Sequence, residues 1–299
     1  MDFLDNLFNQ RQISDTSKAL YIRNLTKLNN GEPVKDLKFL NKPEAILGLI
    51  SHLKPTTQRS YIIAICSILK VDNKDESLYN KYFQLLQDMN SSLKVNTTKS
   101  ESQKEAWVQP EKIEEIYKNI KQKIPKKINN KKDYDNLLNY VLLSLYYLQA
   151  PRRNNDYCLM KIASDKSDKK FNYLDMKNKQ FIFNNYKTQK TYSEMKVDIS
   201  DELYKVLKLY LANHPNKSKL KNKNHDVNLL VDSSGEPYNK SNQITKLLNK
   251  IFDGKVGVSM LRNIYLTSKY GKVMKELDKD VKNMSTSQGV ALDNYIKKD

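Results

Sequence analysis

Residues 133–156, DYDNLLNYVLLSLYYLQAPRRNND, decide the fold. Leu137, Leu138, Val141, Leu142, Leu145 and Leu148 crowd one helical stretch so densely that it must lie inside a core rather than on its surface. The stretch ends at Ala150-Pro151. Arg152 and Arg153 follow at once, and Asp156 comes three residues after the second arginine. A guanidinium at the end of a buried helix cannot stay buried without an anionic partner, so one of the pair is expected to face a cleft. A second reading, a helix-end arginine held by Asp156 or by a carbonyl, stays open.

Beyond this helix the texture changes. FNYLDMKNKQFIFNNYKTQKTYSEMKVDIS, residues 171–200, alternates apolar and polar positions, with turn-like breaks at Lys177-Asn178 and near Gln189. That pattern predicts a small antiparallel sheet of two or three strands. Helical periodicity returns over 201–213, 240–252, 258–270 and 272–283. On the other side, the first ninety residues read as four or so short amphipathic helices. Ser14 or Asp15 caps one with Tyr21, Leu25 and Leu28 on a single face. Pro43 and Pro55 open two more, and Leu78, Tyr82, Leu85 and Leu86 mark another. Between the two regions, SSLKVNTTKSESQKEA has no apolar stripe and reads as a linker. Trp107, the single tryptophan, follows it as an expected core or domain-edge anchor. The lysine-rich stretches 118–132 and 217–224 are expected as surface loops. The fold class is therefore mainly α with a small antiparallel β-sheet (α+β): a helical module over 1–92, a linker over 93–106 and a second domain over 107–299.

Composition narrows the function. Hydrophobic residues make up 39% of the chain and charged residues 29%, enough apolar content for packed cores. No apolar run approaches the roughly 20 residues needed to span a bilayer, and MDFLDNLFNQ lacks the basic start of a secretory signal. Cys66 and Cys158 sit in apolar patterns and read as buried free thiols, which fits an intracellular, reducing compartment. With no C-x-x-C pair and three scattered histidines, a structural zinc site is not expected. The 52 Lys+Arg against 34 Asp+Glu leave a formal +18. Such a field attracts nucleic acid, although a Lys-, Asn- and Ile-rich composition also arises in any protein of an AT-rich genome.

Three further signals follow the arginine pair. Tyr186-Lys187-Thr188-Gln189-Lys190-Thr191 lies at the expected hairpin. Ser259-Met260-Leu261-Arg262-Asn263 opens a helix whose Leu261, Ile264, Tyr265 and Leu266 supply a core face. Last comes the tail, with Thr286 and, nine residues later, Tyr295. Singly, each is unspecific. In this order and spacing they resemble the catalytic signature of the tyrosine recombinase (phage integrase) family, over nearly the whole chain.

The resemblance implies a helical core-binding domain, a linker and a catalytic domain that breaks and rejoins duplex DNA through a 3′-phosphotyrosine, leaving a free 5′-hydroxyl. It places Arg153 as the first phosphate-binding arginine with Asp156 as its acid, Arg152 being the neighbouring alternative. Lys187 is the general acid, with Lys190 as fallback, and Arg262 is the second arginine. Tyr295 is the nucleophile. Two guanidinium groups match the non-bridging phosphate oxygens bidentately. Ser259, Asn263 and Thr286 stand where the family usually carries histidine-like residues. Serine and threonine can bond a phosphate but are poor bases near neutral pH, so slowed cleavage is expected. The chemistry requires no metal or cofactor. The implied partners are duplex DNA and further copies of the chain, as a tetramer on DNA, with no membrane. Only IKKD follows Tyr295, so assembly is expected to use contacts other than an exchanged tail. The alternatives are a catalytically impaired DNA-binding descendant and a type IB topoisomerase. The latter is disfavoured by the helical N-terminal region.

Overall fold

The computed structural model describes residues 3–93, 98–162, 165–221, 227–254 and 256–297. The chain divides into two compact units, Met1–Thr98 and Lys99–Asp299, and the division falls inside the polar 93–106 stretch.

The first unit is a bundle of α1 (Phe3–Phe8), α2 (Asp15–Leu28), α3 (Pro43–Ile50), α4 (Pro55–Asp72) and α5 (Glu76–Ser92), with one 3-10 turn at Lys38–Leu40. Ser14, rather than Asp15, caps α2 by accepting from the Ser17 amide. Asp75 caps α5 in the same way through Leu78. Proline at the first turn of α3 and α4 costs no hydrogen bond, because that amide has no helical partner. Ile62, Ile65 and Ile68 on α4 form the middle of the core, with Leu4, Phe8 and Leu25 against them. The hydroxyl of the buried Tyr82 donates to the Leu40 carbonyl at 2.8 Å, tying α5 to the 3-10 turn. The sequence signal missed α1, which is only six residues long.

The second unit begins with α6 (Glu101–Glu105), α7 (Pro110–Gln122), α8 (Lys131–Tyr147) and α9 (Asn154–Tyr157). The linker expected over 93–106 is thus not wholly irregular. Ser100 and Gln103 form a reciprocal capping box at the start of α6; residues 94–97 of that stretch lie outside the described residues. Trp107 is half-buried against the core of this unit, with the Lys99 ammonium 3.5 Å over its ring. The core is built on α8, which packs against α7 and against α11 (Asp201–Ala212) and α13 (Ser241–Ile251), described below. Of the apolar α8 positions, Leu137, Val141, Leu142 and Leu145 are completely buried.

The sheet has four strands in chain order: β1 (Lys161–Ile162), β2 (Tyr173–Asp175), β3 (Gln180–Phe183) and β4 (Met195–Asp198). It is mixed rather than purely antiparallel, because β1 pairs in parallel with β2 while the other two pairings are antiparallel. A two-residue strand is too short to carry an alternation signal, which is why sequence periodicity does not find β1. A short helix, α10 (Gln189–Tyr192), sits inside the β3–β4 connection.

After α11 come α12 (Lys217–Lys221), α13 and α14 (Val258–Asn283), then a three-residue turn α15 (Gln288–Val290) and a π-helical turn at Ala291–Tyr295. Neither lysine-rich stretch is simply a loop. Lys118, Lys121 and Gln122 belong to α7, 217–221 form α12, and 222–226 lie outside the described residues. The two helices expected over 258–270 and 272–283 are one continuous helix of 26 residues. Gly271 does not break it. A lone helical glycine costs about 1 kcal/mol relative to alanine, too little to end a long helix. Leu266, expected on a core face, is 54% exposed, since at 100° per residue it falls on the side of α14 opposite Ile264, whereas Ser268 returns to the packed side.

Asp175 organises the β2–β3 turn. Its carboxylate accepts from the amides of Lys177 and Asn178, from the Asn178 side chain at 2.8 Å and from Lys166 at 2.9 Å. Burial pushes this carboxyl up, but the bonds from Lys166 and Asn178 outweigh it and hold it below its usual 3.8. The stabilisation is therefore present above pH 3.8 and is lost as pH falls through the lowered folded-state value. Asp175→Ala is expected to cost about 1.5–3 kcal/mol in urea unfolding at pH 7, and the difference from wild type should shrink at the acid end of a pH series. A pH-independent difference would mean that the charge is not what matters.

Candidate functional site

The turn after α8 sets the position of everything around it. Arg153 is the residue before the first turn of α9, and its carbonyl accepts from the Asp156 amide. Asn154 follows and is buried. Its side-chain oxygen accepts from the Tyr146 hydroxyl of α8 at 2.7 Å. Its side-chain nitrogen donates to the Ser241 carbonyl at 3.2 Å and the Thr245 hydroxyl at 2.9 Å, both on α13. Asp156 is buried two residues later, with one carboxylate oxygen bonded by Arg152 Nε at 3.0 Å and the other without a partner among the described residues. Burial pushes this carboxyl above the usual carboxylate range, against the pull of Arg152.

The acid thus pairs with Arg152 and not, as the sequence register suggests, with Arg153. Both arginines precede the first turn of α9, with Arg153 in extended backbone, and adjacent side chains on extended backbone point to opposite sides; Asp156 still feels the charge of Arg153. Arg152 also stacks over Phe183 at 3.7 Å and contacts Met195 Sδ at 3.1 Å. Arg153 is half-buried, and among the described residues nothing accepts from its guanidinium.

Lys187 lies in the connection between the antiparallel strands β3 and β4, exposed and without an ion-pair partner among the described residues; Lys190, on α10, is exposed as well. The root of this loop is bound to the Asp156 turn through Asn172. The Asn172 side chain donates to the Asp156 and Asn185 carbonyls at 2.8 and 2.9 Å and accepts the Asn184 and Asn185 amides, both at 2.8 Å.

Ser259 and Arg262 sit in the first turns of α14, Ser259 and Asn263 exposed and Arg262 half-buried, with no carboxylate partner for Arg262 among the described residues. The start of α14 shares two neighbours with the Arg153 turn. A Cβ placed on Gly257, the residue before α14, would lie 3.8 Å from the Thr245 methyl, and Thr245 bonds Asn154. Tyr146, which also bonds Asn154, lines with Leu261, Ile264 and Tyr265 a cavity of about 110 Å³. The loop that carries Lys187 is thus hydrogen-bonded to the Arg153 turn, and the start of α14, which carries Arg262, lies beside Thr245 and Tyr146, the partners of Asn154. Asn154, Asn172 and Thr245, which make these joints, carry no sequence motif. Only the adjacency of Asn154 to the arginine pair could have drawn attention to it.

Tyr295 is not joined to them. Among the described residues its hydroxyl makes no hydrogen bond, and its side chain is 60% exposed at the end of the π-helical turn. The chain reverses at Ser285, whose φ is 55°. Thr286, half-buried, bonds back through its amide to the Val281 carbonyl at 2.9 Å. Gln288 then donates to the Met274 carbonyl at 3.0 Å, so the tail runs back beside α14. Cys158, expected within an apolar helix, is half-buried at the end of α9, and burial pushes its thiol up to about 11; Cys66 is buried and shifted likewise.

Among the described residues no group of three His, Cys, Asp or Glu side chains is placed to hold a metal ion, and no helix is long and apolar enough to cross a membrane. No family model, curated protein or solved structure matches the chain.

The two adjacent arginines should separate cleanly in a stability measurement. Arg152→Ala removes one partner of a buried ion pair and is expected to cost about 3 kcal/mol, whereas Arg153→Ala should stay within about 0.5 kcal/mol of wild type. Urea unfolding followed by circular dichroism reads both. Equal losses would assign Arg153 a structural bond.

Proposed function

We propose that the chain is a tyrosine recombinase that cleaves and rejoins duplex DNA, with Tyr295 as nucleophile, Arg153 and Arg262 as phosphate ligands and Lys187 as general acid. One observation carries the reading. Three cations from distant parts of the sequence stand on elements that meet at the Arg153–Asp156 turn, and none has a carboxylate partner among the described residues. In the proposed complex the phosphate lies between these cations and offsets their mutual repulsion.

The sequence around Lys187 and Arg262 is free of acids. No Asp or Glu occurs over 176–193 or 254–275, and α14 has no acidic residue in its first turn, which leaves its N-terminal amides favourable to a phosphate. Exposed lysines elsewhere supply the sequence-independent attraction to the DNA backbone.

Chemically, the Tyr295 hydroxyl gives up its proton to solvent water as its oxygen forms a bond to phosphorus. The bond from phosphorus to the 5′-oxygen breaks, and that oxygen leaves with a proton from Lys187. Arg153 and Arg262 balance the charge that builds on the non-bridging oxygens.

The reading requires the tail, which turns back beside α14 where Gln288 bonds the Met274 carbonyl, to carry the Tyr295 phenol up to the phosphate. Exposed Leu266, Tyr270, Val273 and Leu292 on α14 and the tail offer apolar area to further copies of the chain assembled on DNA.

A second reading has its own support. Ser259 and Thr286 provide no base for the phenol, and Tyr295 is detached from the cations. A recombinase-derived protein that binds DNA without cutting it fits these two facts.

The readings part in one assay. The protein is incubated with a pool of nicked duplexes carrying a randomised segment, then denatured. A covalent protein–DNA adduct is expected, absent in Tyr295→Phe. Arg262→Ala should lower adduct formation about a hundredfold or more while keeping most of the DNA affinity. No adduct from any pool member would leave the binding-only reading, and parallel loss of affinity and cleavage in Arg262→Ala would make that arginine structural.

A further inference from the structure

Arg152 is not placed as a phosphate ligand, yet its surroundings are more specific than those of an ordinary helix-end arginine. Its side chain is only 16% exposed. Nε is committed to Asp156, and a terminal nitrogen points at Met195 Sδ. The guanidinium plane lies 3.7 Å from the Phe183 ring and 5.2 Å from the Tyr186 ring. Phe183 is the last residue of β3, Met195 is the first of β4, and Tyr186 precedes Lys187. One side chain therefore touches both ends of the connection that carries Lys187, while its own backbone is continuous with Arg153.

The connection is a closed unit. The Tyr186 hydroxyl donates to the Ser193 carbonyl at 2.7 Å across its neck, and the Gln189, Thr191 and Ser193 amides bond back within it. Asn172 fixes the neighbouring residues 184 and 185 from the other side. A loop closed on itself moves as one body, so its position relative to Arg153 depends on what holds its neck. A leucine at 152 could pack on Phe183 but could not bond Asp156. A lysine could reach Asp156 but has no plane to lay over an aromatic ring. The arginine does both.

We propose that Arg152 is a positioning residue that locks the Lys187 loop to the Arg153 turn, so that the proton donor and the phosphate ligand are held at one fixed separation. This rests on the reading of Lys187 as the donor of a proton to the departing 5′-oxygen. It goes beyond that reading by assigning the placement of the donor to a side chain that never meets the DNA.

Two measurements on the full chain test it, with Arg152→Lys as the variant and Arg152→Met, which retains apolar contact with Phe183, run beside it in case the first does not fold. The first is amide hydrogen exchange without DNA. Residues 184–194 should exchange roughly tenfold faster in the variant, with α8 unchanged, as expected for a local opening. Unchanged exchange over 184–194 overturns the proposal.

The second uses the nicked duplexes selected by the adduct assay, prepared with either oxygen or sulfur at the bridging 5′ position. A thiolate leaves as a stable anion and needs no proton, so sulfur bypasses the general acid. Arg152→Lys should cut the oxygen substrate roughly ten- to a hundredfold more slowly than wild type. It should cut the sulfur substrate at nearly the wild-type rate, as Lys187→Ala should, whereas Arg262→Ala stays slow on both. A variant equally slow on both substrates is a merely structural lesion and overturns the proposal. If the wild-type protein itself forms no Tyr295 adduct, the recombinase reading falls, and the role in proton donation with it. The exchange result then still decides whether Arg152 holds the loop.

Discussion

The hydrogen bonds of Asn154 are the constraint on which the second unit depends. This side chain is buried where α8 ends, and it satisfies a tyrosine hydroxyl on α8 and two oxygens on α13 at once. A buried amide left without these partners would cost about 1–3 kcal/mol, and the Tyr146 hydroxyl would be stranded with it. The turn therefore has little freedom. Arg153 is fixed before Asn154, Asp156 is fixed after it, and Thr245 passes the constraint on to the start of α14. The elements that carry the candidate cations are set by polar joints inside the core.

How much of this was legible in the sequence follows from what each feature is made of. The helices were legible where an apolar stripe persisted for several turns, as in α4 and α8, and where Pro43, Pro55 and Ser14 marked their starts. The strands β2, β3 and β4 were legible as alternation, but β1 has two residues and no period to read. Gly271 suggested a break that propensity alone cannot enforce inside a long helix. Leu266 was grouped with Leu261 and Ile264 because it is apolar and adjacent, although two residues past Ile264 a helix presents its opposite side.

The candidate site divides in the same way. Arg153, Lys187 and Arg262 were singled out by a family resemblance that rests on their order and spacing, and their proposed roles rest on it still. The partner of Asp156 could not, because two adjacent arginines differ only in the direction the chain carries them. Asn154, Asn172 and Thr245 are invisible for a related reason. An asparagine that joins three elements looks, in one dimension, the same as one that caps a turn.

The distribution of charge then separates function from solubility. Some lysines elsewhere have acids close by: Lys118 with Glu114, Lys112 with Glu115, Lys282 with Asp278 and Lys169 with Glu194. Such exposed pairs stabilise the fold by less than about 1 kcal/mol each, and they would form wherever acids were available. Near the Arg153 turn Asp156 is taken by Arg152. Unpaired lysines are common over the chain, as 52 basic against 34 acidic residues require, so lack of a partner does not by itself mark a site. The proposed phosphate site rests instead on placement, since Arg153 and the Lys187 loop stand on elements tied together by the buried side chain of Asn172, with the start of α14 beside them.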